Sequence, residues 1–339
     1  MQDKVNIGVI GTGRMGSVHT RTLVRRIPLA NVVAVCDLRL EVAQAVADEL
    51  GIQSVIRDYH ELLKEDSLQA IVIASSTNTH AFMIKDVARA GKHIFCEKPL
   101  ALDLTHIDEA LTAVEQAGVK LQVGFQRRFD SNFQRVRELV ASGKIGDPCI
   151  LRITSRDPEP PPMSYVQVSG GIFLDMMIHD LDMAHFQMGD VEEVYATGNV
   201  LVAPEIGQAG DVDTAVVTLR FKNGALGVID NCRKATYGYD QRLEVLGSNG
   251  AALVGNEMAD TVVQADRDGF HSATLPHFFM QRYAEAYVSE MLAFVECIAG
   301  DKTPPVTGRD GRLAVVLGYA AKKSRQENRP VRLSEIAAV

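Results

Sequence analysis

The apolar run Val5–Ile10 closes on Gly11-Thr12-Gly13-Arg14-Met15-Gly16, and residues 17–26 behind it have helical character. A strand, a G-x-G-x-x-G turn and a helix in that order narrow the fold sharply, because each glycine has its own steric task. Gly11 allows the tight turn, Gly13 lets backbone approach a pyrophosphate, and Gly16 lets helix and strand pack closely. The N-terminus of the helix offers free N–H groups and a partial positive charge to phosphates. Arg14 and Met15, between the second and third glycines, belong to the same expected cofactor contact.

A second apolar run, residues 32–36, ends at Asp37, about where a carboxylate accepts hydrogen bonds from an adenosine ribose. An acid there repels a 2′-phosphate, so NAD is expected over NADP, with Arg39 nearby weakening the exclusion. The alternation continues with a helix over 41–50, a strand at 54–56, a helix over 59–64 and a strand at 70–74. Residues 75–80 read as a small polar loop, from which Ser76, Thr77 and Asn78 are expected to line the nicotinamide side. His80 reads as an N-terminal residue of the helix that follows rather than as a catalytic one. A strand at 93–96 then carries Glu97, Lys98 and Pro99 to the edge where open parallel sheets bind ligands. Pro99 keeps Lys98 out of the helical region, so backbone sets the direction of the lysine. With a helix over 104–117 and a strand at 120–123, the order implies a doubly wound parallel sheet, and a domain 1–123.

The remainder, 124–339, is expected to be a substrate-binding and oligomerisation domain of α+β class. After a helix over 131–142, strands at 149–155, 191–200, 213–221, 225–231 and 242–247 point to a largely antiparallel open sheet. Helices over 283–298 and 311–326 and an extended piece at 331–333 close the chain and are left free to pack back on the first domain. A helix over 172–188 carries Asp175, His179 four residues on and Asp182 three beyond, all on one side. His179 suits an acid/base, since an imidazole titrates near neutrality, and Asp175 would orient it. The same stripe also fits an ion-pair cluster of structural purpose. No second histidine stands at ligand spacing, so a metal is not expected. His185 and His271 read as structural or exposed.

The net charge of −8 is spread without a basic block, which argues against nucleic acid or an anionic membrane as partner. No apolar run approaches the ~20 residues that span a bilayer, and Met1 to Lys4 shows no secretory signal. Five scattered cysteines without a C-x-x-C pair fit a reduced, cytoplasmic compartment.

Taken together, Gly11-x-Gly13-x-x-Gly16, Glu97-Lys98-Pro99, Gly124-Phe125 with Arg127-Arg128-Phe129, and Gly170-Gly171-x-x-x-Asp175-x-x-x-His179 resemble the glucose-fructose oxidoreductase, inositol dehydrogenase and rhizopine-catabolism family, Gfo/Idh/MocA, over nearly the whole chain. The resemblance implies NAD-dependent oxidation of a secondary hydroxyl of a cyclic polyol, an inositol first, with another sugar or a catalytically silent NAD-binding sensor as alternatives. It implies Lys98, Asp175 and His179 as the catalytic set, and Asp182 as a hydrogen-bond partner of a substrate hydroxyl. Tyr239 and, more loosely, Tyr287 match substrate-side tyrosines, and Gln126 and Asp157 join that side, while Glu97 joins the cofactor side. The Lys98–Pro99 bond is expected cis, and the protein is expected to be a homodimer or homotetramer through the C-terminal sheet. One departure bears on the polyol: Ser155-Arg156-Asp157-Pro158 stands where inositol enzymes often carry His-Arg-Asn-Pro.

Overall fold

Six strands with almost uninterrupted apolar sequence pair in parallel: β1 (Val5–Ile10), β2 (Ala30–Cys36), β3 (Ser54–Ile56), β4 (Ala70–Ile73), β5 (His93–Glu97) and β6 (Leu121–Gly124), in the order β3-β2-β1-β4-β5-β6. Parallel sheets are covered on both faces, which is why alternation is missing from these strands. Ile7, Val9, Ile71, Val72, Ile94 and Phe95 are all fully buried. The order reverses direction between β1 and β4, the switch point at which such sheets take a dinucleotide. The computed structural model describes residues 4–337. Met1 to Asp3, within the stretch read above as showing no secretory signal, lie outside the described residues, as do Ala338 and Val339.

The chain divides into two units, Met1–Phe129 with Glu285–Leu313, and Asp130–Ala284 with Ala314–Val339. The expected division at residue 123 therefore differs from the observed one, and the reason is burial. The helix Ala284–Ala299 sends Met291, Phe294 and Val295 into the core built on Val9, Leu23, Val72 and Phe95. Phe294 meets Phe95 edge-on, with centroids 5.8 Å apart. Each such fully buried side chain contributes about 1.5–3 kcal/mol, enough to assign the segment to that core.

In the second unit, β7 (Pro148–Arg156), β8 (Val191–Asn199), β9 (Thr214–Phe221), β10 (Leu226–Cys232), β11 (Asp240–Gly247) and β12 (Gly250–Val254) form one sheet. Two further strands, β13 (Val263–Asp266) and β14 (Gly269–Ser272), make a separate hairpin, and β15 (Val331–Arg332) joins the large sheet beside β8. The sheet order is β12-β11-β7-β10-β9-β8-β15. Its pairs are antiparallel except β7 with β10, which run parallel from Ile150 opposite Leu226. The sheet is thus mixed: a crossover, not a hairpin, separates β7 from β10. Alternation is clean. On β9, Ala215, Val217, Leu219 and Phe221 face inward, and Val216, Thr218 and Arg220 face out.

The expected helix over 172–188 is two helices, Ile172–Asp175 and Ile178–Met188. At the junction Met177 N–H donates to the Ile172 carbonyl at 2.8 Å, an i→i+5 closure that widens the turn. Asp175 and His179 are therefore not an i, i+4 pair on one continuous helix, and their sequence spacing does not set their relative direction.

Candidate functional site

Within the first unit, the C-terminal edge of the parallel sheet gathers the residues expected on the cofactor side. Gly11 has φ 86°, and a Cβ there would meet the backbone of Ala74 at 2.7 Å. A Cβ on Gly16 would collide with the Gly11 carbonyl oxygen, so the helix Arg14–Arg26 approaches the turn as closely as it does because neither residue has a side chain. Gly13 is different. A Cβ on it would meet nothing within 4 Å, and its φ of −64° suits any residue. The space beside Gly13, at the start of a helix, is thus a cradle that no protein atom fills, and it fits the pyrophosphate of NAD. Gly13→Ala is expected to melt as the parent does and to bind NAD about tenfold or more weaker, because a methyl there obstructs only a ligand. Unchanged affinity in a titration would move the pyrophosphate elsewhere.

Asp37 is oriented by the glycine turn itself. Its Oδ2 accepts from the Thr12 N–H at 2.9 Å and the Thr12 hydroxyl at 3.1 Å, and its Oδ1 accepts from the Arg39 N–H at 3.0 Å. A carboxylate has about four acceptor sites, so one remains for a ribose hydroxyl. The Arg39 guanidinium stands 3.9 Å from Oδ1 on an exposed side chain. Burial pushes the neighbouring Cys36 thiol up to about 12, with the charge of Asp37 adding to it, so this thiol is no nucleophile at neutral pH.

Ser76 is the residue before the helix Thr77–Arg89, so Thr77 and Asn78 lie in its first turn and not in a loop. Ser75 and Thr79 share a 2.7 Å hydroxyl contact across that turn. His80 is buried between the carbonyls of Ser75, at 3.1 Å, and Pro99, at 2.9 Å. Burial holds its pKa below the ordinary histidine value, which favours the neutral ring, and a neutral ring donates to one of the two carbonyls at a time. Lys98 is half-buried at the end of β5, with the bond to Pro99 cis. Glu97 is buried, and its Oε1 lies 2.6 Å from Nε2 of His19. Gln126 begins a buried 3-10 turn, Gln126–Phe129, directly after β6. Tyr287 is on the helix Ala284–Ala299, edge-on to His19 at 5.8 Å.

Within the second unit, Gly171 (φ 84°) starts the short helix, with Asp211 accepting from the Ile172 N–H at 3.0 Å. Asp175, at the end of that helix, is held by two donors that sequence spacing does not reveal. The Tyr165 hydroxyl donates to Oδ1 at 2.7 Å, and both terminal nitrogens of Arg233 approach Oδ2 at 3.3 Å. Arg233 is 1% exposed and also lies 3.9 Å from Asp211. His179 is half-buried in the first turn of the next helix, and Asp182 is buried one turn on. Asp180 is buried too and accepts from the Asn231 amide at 2.9 Å. Asp157 follows β7, its backbone bonded to Cys232 and Ala235. Tyr239 is buried against Phe278 and Tyr283 at 5.9 and 6.2 Å. Among the expected histidines outside the site, His185 faces Asp190 at 3.8 Å and His271 faces Asp266 at 3.4 Å.

Each unit thus holds ionised or ionisable groups at fixed positions, the arrangement that proton transfer requires. Residues that sequence reading passed over are Thr12, His19, Tyr165, Arg233 and Glu290. Thr12 lies inside the glycine turn, where its hydroxyl was a usable signal. The others are brought in by tertiary structure alone. Among the described residues, no group of three or more His, Cys, Asp or Glu is placed to hold a metal, and no helix is long and apolar enough to cross a membrane.

Residues 5–125 match the profile of an oxidoreductase family with an NAD-binding Rossmann fold, and residues 133–253 match the GFO/IDH/MocA C-terminal domain. The chain is 50% identical to a myo-inositol 2-dehydrogenase of Thermotoga maritima, over 98% of this chain and 99% of that protein. It is 41% identical to an inositol 2-dehydrogenase of Rhizobium meliloti, over 97% and 99% of the two chains. Its fold is similar to the crystal structure of scyllo-inositol dehydrogenase from Lactobacillus casei with bound NAD(H) and scyllo-inositol, with TM-score 0.92, 28% identity, and 98% and 100% of the two chains covered.

Proposed function

Because the chain belongs to the Gfo/Idh/MocA oxidoreductase family, we propose that it oxidises one secondary hydroxyl of an inositol to the ketone, with NAD reduced to NADH and one proton released. The observation that carries this reading is the 50% identity to a myo-inositol 2-dehydrogenase over 98% of the chain. In this reading Gly11, Gly13, Arg14, Met15, Gly16, Asp37, Ser76, Thr77 and Asn78 hold the cofactor, and Glu97, on the cofactor side, turns its carboxylate to His19 and the Lys98 N–H. Bound NAD supplies the hydride acceptor. The protein's own task is to remove a proton from the hydroxyl and to stabilise charge developing on its oxygen. His179 takes the proton, Asp175 fixes the region from which it acts, and the Lys98 ammonium is the cationic hydrogen-bond donor for an alkoxide oxygen. Gln126, Asp157, Asp182, Tyr239 and Tyr287 read the ring hydroxyls, because a site built to pair an OH discriminates strongly against its loss.

NADH formation against a panel of inositols, aldoses and anhydrosugars tests the substrate. Turnover with an inositol at the highest kcat/KM is the expected result, and turnover only with an aldose or anhydrosugar would overturn it. Tight NADH binding without any turnover would point to a sensor. The reading includes a cytoplasmic enzyme that assembles as a dimer or tetramer through the outward face of its mixed sheet, where Val216, Leu226, Val228 and Leu246 are exposed. A monomer in sedimentation at micromolar concentration would remove that part.

A further inference from the structure

Two buried ionisable groups of the first unit have no task in the mechanism above, His19 and Glu290. The helix Arg14–Arg26 buries Gly16, His19, Thr20 and Leu23 on one side. The His19 ring is fully buried and meets Phe95 edge-on at 5.1 Å and Tyr287 at 5.8 Å. Its Nε2 lies 2.6 Å from Glu97 Oε1, while its Nδ1 is buried with no hydrogen-bond partner among the described residues. A proton on Nδ1 would bury a donor with nothing to accept it. The hydrogen-bond network therefore assigns the proton to Nε2, donated to an ionised Glu97. The other carboxylate oxygen of Glu97 accepts the backbone N–H of Lys98 at 3.3 Å. Glu290, on the helix that also carries Tyr287, is fully buried, and neither of its carboxyl oxygens is hydrogen-bonded among the described residues. Burial, and then the charge of Glu97, push its carboxyl well above the usual carboxylate range.

We infer that His19 is a positioning residue for Lys98: the imidazole holds the Glu97 carboxylate, and that carboxylate holds the peptide N–H of the lysine. A buried relay thus ties the direction of Lys98 to the helix that begins at the glycine turn. Glu290 stays uncharged and leaves the negative charge on Glu97. The inference rests on the reading of Lys98 as catalytic.

Four full-length variants test it, each assayed for turnover with myo-inositol and for NADH affinity by fluorescence. His19→Leu removes the donor, and His19→Asn is too short to reach Glu97. His19→Gln places an N–H close to the position of Nε2, and Glu290→Gln exchanges a neutral acid for a neutral amide. His19→Leu, or His19→Asn should the former fail to fold, is expected to lower kcat about 30-fold or more with little change in NADH affinity, the scale that follows from misplacing a reacting group by a fraction of an ångström. His19→Gln should restore most of that loss.

Glu290→Gln should keep its kcat and melt higher than the parent at neutral pH. The sign follows from linkage. Below the ordinary carboxylate pKa both native and unfolded Glu290 are protonated, so parent and variant differ least there. As pH rises toward the elevated native value, the unfolded chain ionises first and the parent loses stability that the variant keeps.

Wild-type kcat in His19→Leu with only a lower Tm would make His19 structural and overturn the inference. So would equal impairment of His19→Leu and His19→Gln, or a Glu290→Gln protein as inactive as His19→Leu. Lys98→Ala in the same assay separates the two levels. Normal turnover there defeats the reading of Lys98, whereas a silent Lys98→Ala beside a normal His19→Leu defeats only the role of His19.

Discussion

Lys98→Ala is expected to reduce kcat by about 10³-fold or more while NADH binding stays within a few-fold of the parent. A positioned acid/base or oxyanion donor accounts for roughly 10²–10⁴ in rate, and the lysine is proposed to supply the cation that faces a developing alkoxide. Binding should survive because phosphate and ribose recognition is proposed at Gly13 and Asp37, on the turn after β1 and the end of β2, and Lys98 stands at the end of β5. Lys98→Arg should recover little, since a planar fork does not replace a compact ammonium in direction or reach. Stopped-flow hydride transfer and fluorescence titration of NADH measure the two quantities apart. Turnover of Lys98→Ala within tenfold of the parent would remove the lysine from the chemistry and, with it, the proposed roles of its neighbours.

The second large effect is expected at a residue that touches no proposed substrate group. Arg233→Met should cost about 3–5 kcal/mol of stability, the scale for removing one partner of a buried ion pair. The guanidinium is 1% exposed and faces Asp175 at 3.3 Å and Asp211 at 3.9 Å, so its loss leaves two carboxylates without the cation between them. For a domain of 150–250 residues each kcal/mol moves Tm by about 2–4 °C, so the shift should be plain in a melting curve. The remaining folded protein should also turn over poorly, because Asp175 keeps the Tyr165 hydroxyl and loses its charged anchor. Adding Asp175→Asn to Arg233→Met should recover part of the stability and none of the activity, since the second change removes a charge and not a void. An Arg233→Met protein that melts with the parent would show that water already compensates these carboxylates.

The two helical expectations fared differently for one reason. Gly11 and Gly16 lie within six residues of each other, and a Cβ on Gly16 would strike the Gly11 carbonyl, so that steric demand is local and shows in the spacing. Asp175 and His179 are equally close in sequence, yet a single i→i+5 hydrogen bond at Met177 cancels the face that a regular helix would give them. Asp175 is held instead by the Tyr165 hydroxyl, ten residues before it, and by Arg233, 58 residues on. His19 shows the same limit. Three residues after Gly16 it reads as one more polar position of an amphipathic helix, and nothing near it in sequence says that Glu97 will stand 2.6 Å away.

The domain boundary follows this pattern. Residues 285–313 carry no motif of the first unit, and they belong to it because Met291, Phe294 and Val295 bury their side chains there.

From its own sequence the chain declares a parallel nucleotide fold, the edge that receives the cofactor and the preference for NAD, because close-range glycine sterics and a carboxylate at a fixed distance write those properties into a few dozen consecutive residues. Tertiary structure alone decides how buried ionisable groups are partnered: Arg233 with Asp175, His19 with Glu97, and Glu290 with no hydrogen-bond partner for its carboxyl among the described residues. Those pairings depend on desolvation and on contacts between segments far apart in the chain, and no periodicity in a sequence encodes either.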